Sequence, residues 1–586
     1  MQSKTPRHPS TTLVLGSTLC VTAALILLVV TQIWMFPRVT RIDVDLRGYG
    51  DPMDGIFRAI GESTTHAKFD MHIQNAGVIP VPAWYSVLHI GVIDTVTLNG
   101  ESFPHTENYS WGKLGPFFVP GENILHGEMH LKEALPLFEF ALRASIWNPL
   151  TILLLLLHCV IVYAWLKVLR RGPWLQDSWV WRLTVTGVLL RTYYQFTTPY
   201  YSRAYDYHGH IDNIAYFAHH GWMPQTGTLW EAYQMPLYYA MQTPVYLLGE
   251  ALGLSYHEIP SLLQIPSLII SILTLLAGIR ILQRLLADDR AALRIGVMLF
   301  ATFPWFIYLS SLISNDVLLT FFGVVWCGAL LEAVDHPADV KRWIWVGVCS
   351  GLGILAKATA VPWVAISALA VFLTPKPASL KIRVRAIVIV AVVAFLMGGS
   401  VYVYRHMTEP RFALVANAFQ QWGAPPIPLS VQTILSFNPL RLLRLPFRSF
   451  ASQGELEHVF FEDIVRTGHF GSVILSDEAA LLHLLLLGPL VCAAMGMVQE
   501  LRKRRLTLAI ILLGAFGAGI LMRLKYPFPP SQHFRYVTII LLPMVLLAAR
   551  GSSVPKSMLG RVLGHVTIGV YAGVCALTVF NIGLST

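Results

Sequence analysis

The chain has 586 residues, of which 55% are hydrophobic and only 13% are charged, whereas soluble globular domains average about 25% charged residues. With a mean hydropathy of +0.57, this composition excludes a disordered chain, a coiled coil and an ordinary cytosolic enzyme, and it predicts a protein that lies mostly in lipid. The net charge of +10 fits cationic cytoplasmic loops that set the membrane orientation better than it fits a nucleic-acid-binding surface.

The N-terminal part of the chain predicts an anchor helix followed by a β-rich domain. The first apolar run, residues 12–36, is long enough to span a membrane. No small-residue cleavage site follows a short apolar core, so we interpret residues 1–36 as an uncleaved anchor. Residues 37–145 instead show short stretches of alternating polarity bounded by Gly, Asn and Pro, a pattern typical of strands and turns. We therefore expect an extracytoplasmic β-domain directly after the first span.

Residues 146–586 contain the remaining apolar runs, and every connection assigned to the cytoplasmic side is rich in Lys and Arg, as the positive-inside rule requires. The predicted fold class is a polytopic α-helical membrane protein with about 13 spans and an extracytoplasmic β-sandwich after the first span. The further predicted spans are 147–167, 178–195, 262–283, 294–310, 316–334, 342–356, 357–374, 385–404, 479–498, 506–522, 535–549 and 562–583.

Two long outer segments interrupt these spans, at residues 196–261 and 405–478. Within the first, the apolar run 232–255 is expected to form a half-buried helix on the outer face. A full span there would place the arginines after the next run on the outer side of the membrane. Long connections between packed spans are usually functional or disordered, and the apolar, helix-like pieces of the second segment favour a function.

The densest polar cluster, residues 205–213, stands at the outer end of the third predicted span. Ionisable residues at a membrane face are candidates for function. The residues alone leave three interpretations open. The cluster is a solvated loop, a metal site in which His208, His210 and Asp212 converge, or a carboxylate base oriented by a neighbouring imidazole.

The segment that follows resembles a known family. An acidic residue, a His and a Tyr-containing helix are followed by Trp222-Met-Pro224 and by Glu231-Ala-Tyr-Gln-Met-Pro236-Leu-Tyr-Tyr239. This order resembles the first outer loop of C-type (GT-C) glycosyltransferases, and within that group the protein O-mannosyltransferase-like and aminoarabinose-transferase-like branch. The chain departs from the family pattern at Met235-Pro236, where two prolines usually precede Leu-Tyr-Tyr.

Other stretches fit the same resemblance, which covers roughly residues 178–550 and keeps the family's order of motifs. They are Phe303-Pro304 with Ser314-Asn315-Asp316, Gly351-Leu-Gly-Ile-Leu-Ala-Lys357, Glu462-Asp463-Ile-Val-Arg466-Thr-Gly-His-Phe470-Gly471, and Pro529-Pro530 with His533-Phe-Arg535-Tyr536.

The resemblance implies a GT-C-like transmembrane domain over 146–586. It would transfer a monosaccharide from a polyprenyl-phosphate donor to a glycan, lipid or protein acceptor, by an inverting single displacement on the extracytoplasmic face. Such a reaction needs a base near the acceptor and cations near the phosphate that leaves. By the family pattern Asp206 is the base, and His210 and Asp212 orient it or bind substrate.

The implied ligands of the donor phosphate are Arg535, Lys357, Arg405 and Lys525, and those of the acceptor or sugar are Tyr205, Trp230, Tyr233, Tyr238, Trp84 and Trp111. Non-catalytic alternatives stay open for three residues. Arg535 can be an interfacial arginine that snorkels, Lys357 can anchor a helix end, and Asp316 can cap a helix.

The expected cofactor set is empty, since no Gly-rich phosphate loop is present and the favoured branch does not demand a metal, although a divalent ion is a possible alternative. No nucleic-acid partner is expected. The outer domain resembles galactose-binding-like jelly-roll modules, because Asn99-Gly100 predicts a tight hairpin turn and a Pro-Gly-Glu-Asn turn leads into a long strand. Trp84 and Trp111 there either stack on sugar or belong to the core.

A transporter or flippase of lipid-linked sugars is the alternative function, because it would use the same arginines and an amphipathic cavity. We see no inverted repeat of the kind that transporters often show, and a carrier does not need a carboxylate in a long outer loop. The favoured location is a bacterial cytoplasmic (inner) membrane, with the active site facing the periplasm or the exterior.

Overall fold

The fold was analysed in a computed structural model, and it divides into two compact units. One unit consists mainly of residues 166–248 and 263–584, and the other of residues 16–165 with 249–262. The structure describes residues 11–35, 38–45, 50–53, 56–59, 66–75, 81–88, 92–102, 117–118, 121–130, 138–144, 149–170, 175–200, 206–256, 258–373, 379–409, 412, 429–447, 458–471, 480–527, 531, 533–555 and 557–584.

The segment predicted as β-rich forms ten strands after helix α1 (Thr11–Met35). The strands are β1 Arg38–Asp45, β2 Gly50–Met53, β3 Ile56–Ala59, β4 His66–Asn75, β5 Val81–Leu88, β6 Val92–Leu98, β7 Glu101–Ser102, β8 Phe117–Phe118, β9 Gly121–His130 and β10 Phe138–Ala144. They pair into two five-stranded sheets, in the orders β1-β4-β9-β6-β7 and β2-β3-β10-β5-β8. The pairings are antiparallel.

The predicted hairpin turn lies between β6 and β7. Asn99 and Gly100 both have positive φ, 54° and 85°, as a type I′ turn requires. The Asn99 amide also fastens this turn to β9, because its Nδ2 donates to Asn123 Oδ1 at 2.9 Å and its Oδ1 accepts from the Ile124 N–H at 2.9 Å. This asparagine pair, of which Asn123 is buried and Asn99 is exposed, therefore ties the turn to β9 at this edge of the first sheet.

Face-to-face packing of the two sheets, and hence a β-sandwich that binds carbohydrate, stays a prediction. The backbone of Trp84 lies on β5 opposite Arg143 of β10, but its side chain is outside the described part of the chain. Trp111 also lies outside the described residues.

Within the ranges that the structure describes, twenty further α-helices follow the strands. They are α2 Pro149–Leu169, α3 Ser178–Thr197, α4 Tyr207–His220, α5 Leu237–Ala251, α6 Ile259–Leu285, α7 Arg290–Thr302, α8 Pro304–Tyr308, α9 Asp316–Asp335, α10 Val340–Ala356, α11 Pro362–Leu373, α12 Leu380–Ala394, α13 Ser400–Thr408, α14 Val431–Leu435, α15 Pro439–Arg444, α16 Phe460–Phe470, α17 Leu481–Leu485, α18 Leu487–Arg502, α19 Thr507–Lys525, α20 Leu541–Ser552 and α21 Met558–Leu584.

Seven helical segments among the described residues are long and apolar enough to cross a membrane, which supports a multi-pass membrane protein but not the predicted count of about 13. They are Ile152–Leu169, Ile259–Leu285, Asp316–Asp335, Leu380–Thr408, Leu481–Arg502, Thr507–Lys525 and Met558–Ile582. Several of the other predicted spans are helices that end early. The run 294–310 stops at Phe303 before Pro304, and the runs predicted over 342–356 and 357–374 are two short helices that are separated at Lys357.

These breaks place polar residues at helix ends that share one side of the fold. Lys357 follows α10 with extended backbone, φ −158° and ψ 131°, and a single 3-10 turn leads on to α11. Asp316 is the first residue of α9, which runs antiparallel to α10 through a short connection, so the start of one helix and the end of the other lie together. The predicted outer helix over 232–255 corresponds to α5, which is not one of the seven segments long and apolar enough to cross a membrane.

Candidate functional site

The site is built around an ion pair between two residues that are 329 positions apart. Arg535 NH1 donates to Asp206 Oδ2 at 3.1 Å. The Asp206 side chain is 24% exposed and that of Arg535 is 8% exposed. The carboxylate can therefore be reached from outside, while the guanidinium is buried behind it.

The backbone of Asp206 turns its carboxylate toward Arg535. Asp206 precedes α4 in the left-handed conformation, φ 56° and ψ 18°, and makes no side-chain cap bond to the helix. An aspartate before a helix ordinarily accepts from the first helical N–H groups. Positive φ in a residue other than glycine is uncommon and is found at functional sites when the surroundings hold it. The unused capping position leaves the carboxylate to Arg535 and to Trp230 Nε1, which lies 3.4 Å from Oδ1.

Close packing against α4 brings the segment around Trp230 to this carboxylate. A Cβ atom at Gly209 would lie 2.7 Å from the Glu231 Cγ and 2.9 Å from the Trp230 ring. Only glycine leaves room for this approach, so the His-Gly-His sequence of α4 determines how near Trp230 and Glu231 come to Asp206.

A second ion pair is formed by Lys357 and Asp316. The Lys357 ammonium donates to Asp316 Oδ1 at 2.6 Å, and the two side chains are 7% and 3% exposed. Ser314 Oγ donates to the other carboxylate oxygen at 3.2 Å. Helix capping therefore does not account for Asp316, because its carboxylate neutralises a buried lysine. Lys357 lies at a helix end, as the anchor alternative has it, but it contacts a buried carboxylate there.

A chain of buried amides links the two ion pairs. Gln234 Nε2 donates to Glu231 Oε2 at 2.6 Å, and Gln234 Oε1 accepts from Asn315 Nδ2 at 2.8 Å. Asn315 precedes Asp316. The ring of Tyr536 adds a second link, since Lys357 Nζ lies 5.4 Å and Arg535 Cζ 5.0 Å from its centroid, within the range of cation–π attraction.

Burial perturbs two titratable groups of the site in opposite directions. Loss of water first, and the Asp206 charge second, raise the pKa of Glu231 to about 8, so this carboxyl is protonated at neutral pH. Burial lowers the pKa of His210 to about 4, which keeps its imidazole neutral. The site at pH 7 thus combines one reachable carboxylate, one buried ion pair and a neutral carboxylic acid.

The folded protein is expected to become less stable as the pH rises toward 8 because of Glu231. The pKa of Glu231 is raised in the folded state, so its contribution to stability is complete below the unfolded value near 4.5 and is lost as the pH passes through about 8. The slope can reach about 1.4 kcal/mol per pH unit. Glu231→Gln, which keeps the neutral shape, should lack this slope. Thermal unfolding of both proteins, measured between pH 5 and pH 9 in steps of about one pH unit, tests this. Parallel stability profiles for the wild type and the variant would contradict it.

The three residues predicted as catalytic do not all meet. His210 Nδ1 lies 2.8 Å from the Tyr239 hydroxyl, so its ring is held by Tyr239. Asp212 is half-exposed two residues further along α4, and residues two apart on a helix do not face each other. Because α4 is helical from Tyr207, His208 and Asp212 lie one turn apart on one face, and His210 lies on another.

Arg405 binds main-chain carbonyl groups of the predicted outer segment 196–261 in this structure. Its fully buried guanidinium donates to the Ala232 carbonyl at 2.7 Å and the Pro224 carbonyl at 3.2 Å, and also to the Gln234 carbonyl. It also pairs with Glu409 at 2.7 Å. These contacts hold residues 224–234 to the end of α13. A role of Arg405 in phosphate binding stays a prediction, because its guanidinium already binds this set of protein acceptors.

The other predicted ligands lie at various distances from the centre. Burial first, and then the charges of Glu231, Tyr536 and Asp206, raise the pKa of Tyr233. The fully buried Tyr238 accepts from Gln242 Nε2 at 3.0 Å. Lys525 is exposed at the end of α19, over the Tyr526 ring. Tyr205 lies outside the described residues.

Sequence reasoning missed Glu231, Gln234 and Asn315 as members of the site. They lie inside the quoted motifs, but the pattern alone does not tell which polar side chains turn inward. The cue that could have found them is the run of polar residues in otherwise apolar surroundings, since buried polar groups need partners.

An apolar cavity of about 480 Å³ opens on the turn that carries Arg535. Phe303, Phe461, Phe534 and Leu541 line it with other apolar side chains of α7, α16, α18 and α20. Its polar lining residues, His469 and Tyr571, bond to each other at 2.7 Å. Phe534 directly precedes Arg535, so an apolar wall adjoins the cationic site.

No group of three or more His, Cys, Asp or Glu side chains in the described part of the chain is arranged to hold a metal ion. The carboxylates of the site instead pair with Arg535 and Lys357.

Comparison with known proteins finds one family model that matches. Residues 260–404 match the model of the dolichyl-phosphate-mannose-protein mannosyltransferase family. This range contains Asp316, Lys357 and the connection between them. A search of curated protein sequences finds no significant match.

Three solved structures show distant similarity. The oligosaccharyltransferase of Archaeoglobus fulgidus, in complex with Zn and sulfate, has a TM-score of 0.43 and 14% identity over 69% of this chain and 53% of its own, so the present chain matches about half the length of that enzyme. ArnT of Cupriavidus metallidurans bound to undecaprenyl phosphate has a TM-score of 0.35 and 12% identity, over 67% of this chain and 78% of its own. The mycobacterial arabinofuranosyltransferase AftD has a TM-score of 0.41 and 14% identity, over 70% of this chain and 27% of its own.

The TM-scores all lie below 0.5, so nothing about the activity of those proteins is transferred to this chain. The family match stands on its own and falls on the segment that supplies the buried ion pair. Residues 260–404 of this chain are therefore similar to the dolichyl-phosphate-mannose-protein mannosyltransferase family.

Proposed function

We propose that the enzyme transfers a monosaccharide from a polyprenyl-phosphate donor to a hydroxyl or amine of a glycan, lipid or protein acceptor. The reaction would take place on the extracytoplasmic face, in a bacterial inner membrane. The observation that carries the proposal is the ion pair of Asp206 and Arg535, in which a reachable carboxylate lies 3.1 Å from a buried cation. A base and an anion-binding group thus stand side by side.

In the proposed step, Asp206 takes the proton of the acceptor while the acceptor oxygen or nitrogen attacks the anomeric carbon of the sugar. The bond from that carbon to the phosphate oxygen breaks, and its electron pair leaves with the polyprenyl phosphate. One displacement inverts the configuration at the anomeric carbon. General-base assistance of this kind typically accelerates a reaction 10²–10⁴-fold.

Arg535 is the proposed ligand of the leaving phosphate. A guanidinium presents its N–H donors as a fork that matches phosphate oxygens, and the bond is strong where water is excluded. Lys357 adds a second positive charge that is already balanced by Asp316. It would act on the phosphate through its field, with Tyr536 packed between the two cations.

The apolar cavity beside Phe534 supports a donor with an isoprenoid chain. Its wall is hydrocarbon and aromatic, and its position next to Arg535 lets a lipid tail and a phosphate be bound together. The description of the matching family names a dolichyl-phosphate sugar as the donor, which is a polyisoprenyl phosphate of the same chemical class.

The test is a transfer assay in lipid nanodiscs with radiolabelled polyprenyl-phosphate sugars and a membrane extract as the acceptor source. We expect the wild-type protein to move label from at least one donor to an acceptor. Arg535→Met should reduce transfer by about 10²–10³-fold, whereas Arg444→Met, at an exposed arginine of α15, should not. Label that is bound but never transferred would overturn the proposal in favour of a lipid-sugar carrier.

A further inference from the structure

The motif from Glu462 to Gly471, which the proposed reaction does not use, is held rigidly in the fold. Arg441 binds Glu462 with two hydrogen bonds, 2.8 and 2.7 Å, and Arg466 donates to Asp463 at 2.8 Å and to the Leu445 carbonyl at 2.7 Å. Both carboxylates are fully buried. Removing one partner of a buried ion pair is strongly destabilising, so α16 is fixed relative to the short helix α15.

This fixed helix reaches the turn that carries Arg535 through one hydroxyl group. Thr467 Oγ1 donates to the Asp463 carbonyl at 2.6 Å and accepts from the Phe534 N–H at 2.9 Å. The next amide, that of Arg535, donates to His533 Nδ1 at 3.1 Å. Thr467 has no exposed surface. The main-chain N–H groups of Phe534 and Arg535 therefore both donate to side-chain acceptors.

The turn needs such acceptors because it is a single 3-10 turn, Phe534–Tyr536. The first N–H groups of a helical turn have no partner within the turn, and a buried N–H without an acceptor is destabilising. His533 Nδ1 accepts an N–H, so this nitrogen carries no proton and the ring is neutral with its hydrogen on Nε2.

We infer that Thr467 and His533 are positioning residues that hold the Arg535 guanidinium against Asp206. Neither touches the reacting atoms, and both act through the backbone of the turn. The role in catalysis rests on the proposed function. The geometric part, that the hydroxyl of Thr467 determines the Asp206–Arg535 contact, does not.

The first experiment compares Thr467→Val, which has the same shape without the hydroxyl, with Thr467→Ser, which keeps it. A displacement of about 1 Å can reduce a rate about 10²-fold. We expect Thr467→Val to lower kcat by about 10–100-fold with little change in the acceptor KM, and Thr467→Ser to restore it to within about threefold. In an Arg535→Met background, Thr467→Val should have no further effect. Equal losses in both backgrounds, or a serine variant as poor as the valine variant, would overturn the inference.

Thr578→Val is the matched control, because the Thr578 hydroxyl bonds only to the Val574 carbonyl of its own helix at 2.9 Å. If Thr467→Val does not fold, His533→Leu and His533→Asn make the same comparison at the second acceptor, since an asparagine oxygen can also accept from the Arg535 N–H.

A second readout needs no sugar transfer. The coupling between Asp206 and Arg535 is measured as the non-additive part of the melting-temperature shifts of Asp206→Asn, Arg535→Met and the double variant. We expect this coupling to be lost in the Thr467→Val background and kept in the Thr467→Ser background. An unchanged coupling would overturn the inference. A wild-type protein that transfers no sugar but shows the expected loss of coupling would overturn only the proposed function.

Discussion

Replacing Asp206 by Asn is expected to lower the rate of sugar transfer by about 10²–10⁴-fold, the range that a general base supplies. The amide has the same shape, and its single oxygen can still accept from Arg535 in place of Asp206 Oδ2, which lies 3.1 Å away, while its NH2 group takes the place of Oδ1, 3.4 Å from Trp230 Nε1. It cannot take up the proton of the acceptor. The loss should therefore appear in kcat, while donor binding changes little.

The matched control for this prediction is Asp212→Asn. Asp212 lies on the same helix, carries the same side chain and is half-exposed, but it points to another side of α4. We expect its substitution to change the rate by no more than a few fold. Equal transfer by the wild type and by Asp206→Asn would show that another group is the base. A large loss at Asp212 instead would move the base there.

Breaking the ion pair between Lys357 and Asp316 is expected to have the largest effect on stability. Lys357→Met leaves a buried carboxylate without its cation, and Asp316→Asn leaves a buried ammonium without its anion. Loss of one partner of a buried pair costs about 3–5 kcal/mol. The side chains are only 7% and 3% exposed, so water cannot replace the missing partner. Each single variant should also lose sugar transfer.

The double variant, Asp316→Asn with Lys357→Met, should be less destabilised than the two single effects added together, because it leaves no unpaired charge. Unfolding free energies measured in mixed micelles test this. The exposed pair of Arg342 and Asp339, 30% and 41% exposed, is the control, and its removal should cost far less stability because water replaces the missing partner. A cost at Lys357 no larger than this would contradict the assignment of a buried, partner-dependent pair.

Local sequence patterns determined much of this protein. Apolar runs and basic connections identify a multi-pass membrane protein because spanning a lipid bilayer demands a long apolar helix. Alternating polarity between residues 37 and 145 identifies strands. Asn99-Gly100 identifies the turn after β6, because Asn and Gly adopt positive φ at little conformational cost. The motifs around Asp206, Asp316, Lys357 and Arg535 name the residues that form the two ion pairs.

The number of spans was not fixed by these patterns. Hydropathy does not register the end of α7 before Pro304, since the apolar composition continues across the break, whereas the break at Lys357 agrees with the predicted split between 342–356 and 357–374. The sequence likewise presents 205–213 as alternating polar residues, and only the helical conformation of α4 shows that His210 and Asp212 diverge.

Only the tertiary structure decided which charge pairs with which. Asp206 and Arg535 are 329 residues apart, and local sequence spacing does not predict a contact between residues so far apart in the chain. Arg405 was a further candidate for a phosphate ligand on sequence grounds, but its buried surroundings supply backbone carbonyls and Glu409. The physical reason is that the sequence gives each residue its charge, whereas the partner that neutralises a buried charge depends on the packing of distant helices.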